Sequence, residues 1–201
     1  MVAFLAARCI GNARVLDAMA AVPRERFVPA ELAAAAYRDG PAPIGEGQTI
    51  SQPLIVAEML AAAALQPGDR VLEVGAGSGY VAALLSRLGE VFAIERLPML
   101  ADAARERLAA LGCANVQLRT ADGTFGWPEA APFDAIIVSA GGPRVPTAFK
   151  EQLAPGGRLM IPVGQPRMQR LQKLTRGETL VEEDLGLCAF VPLIGEDGWP
   201  R

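Results

Sequence analysis

The chain has 201 residues, 51% of them apolar, with 19 Lys and Arg against 22 Asp and Glu and a net charge of −3. That length suits one domain with a well-buried core, and the apolar content argues against disorder. The near-neutral charge, with no run of five like residues, gives no reason to expect nucleic acid or a membrane surface as partner, and the absence of histidine removes the usual zinc constellations.

The opening MVAFLAAR is apolar, but it is too short for a secretory segment and Arg8 interrupts it. Residues 12–21 read as a short helix with Asn12 as its N-cap. Pro23 and Pro29 bracket a turn, and a short helix is expected over 30–37. The stretch DGPAPIGEGQTISQP, residues 39–53, is rich in Pro and Gly and reads as a long loop of the kind that carries function. Ser51 is the expected N-cap of a helix running to about Leu65, with Pro53 in its first turn. Glu58 inside that helix argues against a membrane span, so a cytoplasmic chain is expected.

From Gly68 onward strands and helices alternate. Strands are predicted over 70–75, 91–95, 115–122, 133–140 and 157–164, with helices over 80–89, 100–112 and 146–153 between them. Two further strands are expected over 169–176 and 187–195. Near-continuous apolar strands separated by helices imply a doubly wound, mostly parallel seven-stranded α/β sheet with helices on both faces and an N-terminal helical extension. One domain over 1–201 is expected, its residues 1–66 giving the N-terminal helices and active-site loop and 67–201 the cofactor-binding core. Cys9, Cys113 and Cys188 are far apart, form no C-x-x-C and read as small buried hydrophobes in a reducing compartment. No metal site is expected.

The first strand of the alternating part runs into Gly75-Ala76-Gly77-Ser78-Gly79, and a helix follows. Glycines there allow a sharp turn and close approach of backbone to a ligand at the carboxyl edge of the sheet. The same glycines could serve only to tighten a strand-to-helix turn. Two acidic positions favour a ligand. Glu95, followed by Arg96, closes the second strand about 20 residues after the first glycine, where a carboxylate reaches ribose hydroxyls. Asp122-Gly123 follows the third strand, though Asp-Gly is also an ordinary turn pair. Tyr80 occupies the position where the dinucleotide fingerprint needs a small residue, and no P-loop pattern is present. The G-x-G-x-G loop is instead similar to that of class I methyltransferases.

The pieces RVLDAMAAVPRERFVP, AYRDGPAPIGEGQTISQPLIVAEML, GDRVLEVGAGSGY, ADGTFGWPEAAPFDAIIVSA, LAPGGRLMIPVG and FVPLIGEDGW occur in this order between about Asn12 and Trp199. In these the chain closely resembles the protein-L-isoaspartate O-methyltransferase family. The segment Gln48–Ser51 is the most specific of the matches. The resemblance implies S-adenosylmethionine held by Gly75–Gly79, Glu95, Arg96, Asp122 and Gly123, with S-adenosylhomocysteine as product. It implies Ser51 as the catalytic serine, and Thr49, Ile50 and Gln169 as substrate contacts. Val145 and Pro146, just after the fourth strand on the same sheet edge, are placed to line a peptide groove, or equally to form a plain turn before the helix. The substrates implied are isoaspartyl peptides and proteins, whose methyl ester would cyclise to a succinimide and hydrolyse in part to aspartate. A monomer is favoured. The chain departs from the family pattern at Leu54, Ala76 and Ser139–Gly142, and its first ten residues match poorly.

The chemistry agrees with the composition. A carboxylate nucleophile has a reference pKa near 4 and is ionised at neutral pH, so its methylation needs no general base and no histidine. Two other readings stay open on the sequence: a methyltransferase of the same fold acting on a small molecule or RNA, and a protein that binds the cofactor without turnover.

Overall fold

A computed structural model describes residues 1–8 and 10–200; Cys9, expected to be a buried hydrophobe, lies outside the described residues. The chain begins with α1 (Val2–Ala7) and α2 (Ala13–Ala21), the latter capped by Asn12, whose Oδ1 accepts from the Val15 N–H at 3.3 Å. Two 3₁₀ turns follow, Arg24–Phe27 and Ala30–Ala35; the second replaces the α-helix expected over 30–37.

The stretch expected as a plain loop contains a hairpin of β1 (Ala42–Gly45) and β2 (Gln48–Ile50). Its two central residues, Glu46 and Gly47, both have positive φ (50° and 68°), the geometry of a tight primed turn that matches the strand twist. Helix α3 (Pro53–Ala63) comes next. Its N-cap is Gln52, not Ser51. Asp39 supplies the capping oxygen from a distance in sequence: its Oδ1 accepts from the Leu54 N–H at 3.0 Å, and its Oδ2 from the Gln52 side chain at 2.8 Å. A carboxylate at a helix start also suits the positive end of the dipole.

The sheet is formed by β3 (Arg70–Val74), β4 (Glu90–Glu95), β5 (Val116–Thr120), β6 (Phe133–Val138), β7 (Leu153–Gln165), β8 (Met168–Arg176) and β9 (Leu180–Cys188). Helices α4 (Tyr80–Leu85), α5 (Pro98–Ala110) and α6 (Thr147–Gln152) connect its strands. The order is β5-β4-β3-β6-β7-β8-β9, parallel from β5 to β7 and antiparallel at the last two pairings. The chain starts in the middle at β3, winds outward to β5, and crosses back to β6. The ends of β3 and β6 therefore diverge at a topological switch point, where such sheets open a crevice.

Alternate residues of each strand feed two separate cores. Val71, Ala93, Ala135, Ile137 and Met160 pack with α2, α3 and α4 on one face. Leu72, Ile94, Ile136, Val138, Leu159 and Ile161 pack with Phe133 and Phe149 on the other. Burial on both faces explains why the strands read as unbroken apolar runs.

The last strand lies at 180–188 rather than 187–195. It pairs only with β8, is exposed over most of its length, and carries Glu182, Glu183 and Asp184, so no apolar signal marks it. Charges on an edge strand discourage further pairing. The apolar segment after it is used elsewhere: the Gly141 N–H donates to the Val191 carbonyl and the Leu193 N–H to the Gly141 carbonyl, each at 2.8 Å, which draws residues 189–195 over the strand ends. Cys113 and Cys188 are half-buried free thiols, not fully buried as expected. Among the described residues, no helix is long and apolar enough to cross a membrane.

Candidate active site

At the switch point lies a cleft with about 930 Å³ of empty space, open on one side. Much of that space is its open mouth, continuous with solvent. The glycine turn forms one wall. The Gly75 and Ala76 N–H groups both donate to the Ile94 carbonyl, at 2.9 and 3.0 Å, which folds the loop against the end of β4. Gly79 has φ +87°, and a β-carbon there would stand 3.2 Å from the Ala104 Cβ on α5. Only glycine meets both the backbone and the packing requirement.

Glu95 is buried and braces the turn. Its Oε2 accepts from the Gly77 N–H at 2.8 Å and its Oε1 from the Leu97 N–H at 2.9 Å. Each oxygen keeps a second acceptor position. Arg96 and Gly123 also line this cleft, as do Gly75, Ala76, Gly77 and Ser78, whereas Gly79 is not among the lining residues. Asp122 stands outside it. Its Oδ1 accepts from the Thr124 N–H and hydroxyl at 2.9 and 2.7 Å, and its Oδ2 from the Glu196 N–H at 2.9 Å. The Asp122 carboxylate thus ties a turn to the C-terminal segment and borders a neighbouring hollow with Arg96 and Trp199.

Glu73 was not singled out by its sequence context. It sits mid-strand in RVLEV, fully buried, and lines the cleft. Neither carboxyl oxygen has a hydrogen-bond partner among the described residues. Burial, with the nearby negative charge of Glu95 adding to it, pushes its pKa up to about 8. A buried carboxyl without partners is costly, so its placement at a cavity wall points to a cationic ligand group. The available signal was a single charge within an otherwise apolar strand core.

The opposite wall carries Gln48, Thr49, Ile50 and Ser51. Thr49 and Ser51 also line a second hollow of about 610 Å³, together with Pro41, Ile55, Cys188 and Phe190. Ser139 and Val191 border both spaces. The Ser51 hydroxyl makes no hydrogen bond among the described residues, because Asp39 has taken the cap. The Ser51 carbonyl accepts from Nη2 of Arg24 at 2.7 Å. Arg24 is fully buried and was likewise not singled out from sequence. Burial pushes the Cys188 thiol up to about 11, with Asp184 adding to the effect, so it stays protonated beside the second hollow.

Three expected substrate contacts lie elsewhere. Gln169 is fully buried, and its amide is used up by Phe190: Oε1 accepts from the Phe190 N–H at 2.7 Å and Nε2 donates to the Phe190 carbonyl at 3.2 Å. It fastens the 189–195 segment to β8 and presents nothing to either hollow. Val145 packs into the second core, and Pro146 is buried as the residue preceding α6.

The comparisons with known proteins agree with this geometry. The family model described as protein-L-isoaspartate(D-aspartate) O-methyltransferase matches residues 1–198. A Methylorubrum populi protein named protein-L-isoaspartate O-methyltransferase is 63% identical over 193 residues, covering 94% of this chain and 91% of its own. One from Brucella anthropi is 52% identical, covering 100% and 94%. Among solved structures, a protein-L-isoaspartate O-methyltransferase superposes with a TM-score of 0.88 at 30% identity, over 98% of this chain and 66% of that longer one. A Plasmodium falciparum protein described as a protein-L-isoaspartate O-methyltransferase, crystallised with S-adenosyl-L-homocysteine, gives 0.84 at 26% identity and 94% coverage of both chains. With a family model spanning nearly its whole length, the chain belongs to the protein-L-isoaspartate(D-aspartate) O-methyltransferase family.

Proposed function

We propose that this chain methylates the carboxylate of isoaspartyl residues in peptides and proteins, with S-adenosylmethionine as methyl donor. The observation that carries the reading is the meeting of two hollows at Thr49, Ser51, Ser139 and Val191. One is walled by the glycine turn and suits the donor. The other opens beyond Ser51 and suits an acceptor. A methyl group passing between them crosses the position of Ser51.

The residues fit the donor. The glycine turn gives a backbone surface that a flat ligand can approach closely. Glu95 has acceptor capacity left for hydroxyl groups, and the partnerless carboxylate of Glu73 would pair with an ammonium group. When bound, S-adenosylmethionine supplies an electrophilic methyl on a sulfonium centre; the products are a carboxyl methyl ester and S-adenosylhomocysteine. The acceptor carboxylate is already ionised at neutral pH, so the chain has only to hold it in line and keep water out. The Ser51 hydroxyl, with no internal partner, would donate to that carboxylate and orient it. The largely apolar surroundings of Ile55, Phe190 and Val191 would strengthen this contact by excluding water.

Incubation with methyl-labelled donor and a matched pair of peptides, isoaspartyl and aspartyl, tests the reading. Base-labile label is expected in the isoaspartyl peptide and not in its isomer. Transfer to a small molecule or RNA with neither peptide labelled would overturn it.

A further inference from the structure

Resting on that reading, we infer that Arg24 is a positioning residue for the methyl transfer: its guanidinium sets the backbone at Ser51 and couples it to the helix that follows the glycine turn. Arg24 lies in the first 3₁₀ turn and is fully buried. Its Nε donates to the Ala36 carbonyl at 2.8 Å, at the end of the second 3₁₀ turn, and its Nη2 to the Ser51 carbonyl at 2.7 Å. Its Cζ stands 4.8 Å from the centre of the Tyr80 ring, and Tyr80 is the first residue of α4, directly after Gly79. One side chain therefore touches the N-terminal turns, the serine loop and the end of the glycine turn.

The arrangement is expensive for a purely structural tie. Among the described residues no carboxylate is within ion-pair distance of Arg24; the Tyr80 hydroxyl is its polar neighbour, Asp39 attracts it only from farther away, and neither Nη1 nor that hydroxyl meets a well-formed hydrogen bond. A buried cation without a directly paired anion is unfavourable, and an apolar side chain would fill the same space at lower cost. The planar fork gives what an apolar residue cannot: two carbonyls from separate segments fixed by one rigid group, with its face on an aromatic ring. Fixing the Ser51 carbonyl fixes the peptide plane between Ser51 and Gln52. That constrains the direction in which the serine side chain leaves the backbone, without a contact to the hydroxyl itself. The hairpin that carries the serine loop is not part of the main sheet; apart from Arg24 it is held by the buried Ile50 side chain and by Asp39 at Gln52 and Leu54.

The test compares wild type with Arg24→Lys and Arg24→Met for turnover of an isoaspartyl peptide and for affinity toward S-adenosylhomocysteine. Lysine keeps the charge, but its compact ammonium lacks the planar fork that spans these two carbonyls and lies face-on to the Tyr80 ring. Both variants are expected to lose about tenfold to a hundredfold in kcat/KM, through lower kcat and raised peptide KM, since small misplacements at a reacting centre have effects of that order. Their affinity for S-adenosylhomocysteine should stay within about threefold of wild type. Arg119→Met is the matched control. Arg119 stacks on Trp127 with its Cζ 4.2 Å from the ring and donates to the Gly126 carbonyl at 2.7 Å, away from both hollows, so its loss should lower Tm and leave kcat/KM unchanged. Full activity in Arg24→Lys, or equal losses of cofactor affinity and rate, would overturn the inference.

If both Arg24 variants fail to fold, ¹⁵N resonances of the Arg24 guanidinium in the unmodified protein decide. They should shift when isoaspartyl peptide is added to the S-adenosylhomocysteine complex and stay in place with the aspartyl isomer; no shift with either would overturn the inference. A wild-type protein inactive on the isoaspartyl peptide would instead remove the proposed function, an outcome distinct from active Arg24 variants.

Discussion

The two walls of the cleft are built differently. The donor-side wall stands on the ends of β3 and β4, in the middle of a sheet buried on both faces, and its turn is stitched to Ile94 and Glu95 by backbone N–H groups. The acceptor-side wall is a two-stranded hairpin and an irregular C-terminal segment, held by single side chains from distant parts of the sequence: Asp39, Arg24 and Gln169. The first wall is rigid through local chain geometry. The second is positioned by long-range hydrogen bonds, each of which can be removed by one substitution. Substitutions in the first should therefore alter donor affinity, and those in the second peptide turnover.

The largest effect is expected from Gly79→Val. A left-handed backbone and a β-carbon at 3.2 Å from Ala104 cannot both be accommodated. Strain of about 1–3 kcal/mol together with a displaced α4 should weaken donor binding by up to about a hundredfold in calorimetric titration. If affinity is retained, the donor-side wall is not the rigid element described.

Glu73→Gln should weaken S-adenosylmethionine by about tenfold, the scale of one hydrogen bond to a charged group. It should also change the pH dependence. The Glu73 carboxyl keeps its proton in the folded chain up to about pH 8, whereas the unfolded carboxyl loses it near the ordinary 4.5. This group's contribution to stability is therefore fully present below 4.5 and is lost as pH rises toward 8. Pairing with a cationic ligand strips the proton, so donor affinity should rise through the same window. The glutamine variant should show flatter profiles in both denaturation and binding. An unchanged rise in affinity with pH would detach Glu73 from the donor.

The smallest effect on turnover is expected from Gln169→Ala. It leaves the Phe190 N–H and carbonyl unpaired at a cost of about 1–3 kcal/mol, which lowers Tm by roughly 2–4 °C per kcal/mol in a chain of this size. Peptide KM should rise a few-fold because Phe190 and Val191 border the acceptor hollow. Unchanged donor affinity would sharpen the contrast between the walls, and a large loss of donor affinity would break it.

The contrast also explains what could be read from the sequence. Elements of the parallel sheet were legible because burial on both faces makes each strand a continuous apolar run, and the glycine turn because its conformation demands one residue type at fixed spacing. Ser51 was placed correctly in the loop but misread as a helix cap, since the true cap, Asp39, lies 15 residues from Leu54 and no local pattern reveals it. β9 was misplaced because an edge strand with exposed acids has no apolar periodicity, while the apolar residues at 189–195 serve the cleft. Gln169 was expected at the substrate and is instead spent on Phe190. Arg24 and Glu73 were invisible for a shared reason: each is an ordinary charged residue in sequence, and only three-dimensional burial makes it exceptional.

The division of labour between the walls is tested most directly by measuring donor affinity and isoaspartyl-peptide turnover on one preparation of Ser51→Ala. Removing a donor aimed at the reacting carboxylate should cut kcat/KM by roughly 10²-fold, while the dissociation constant of S-adenosylhomocysteine stays within about twofold. Wild-type turnover, or a loss of donor affinity as large as the loss of rate, would contradict the account.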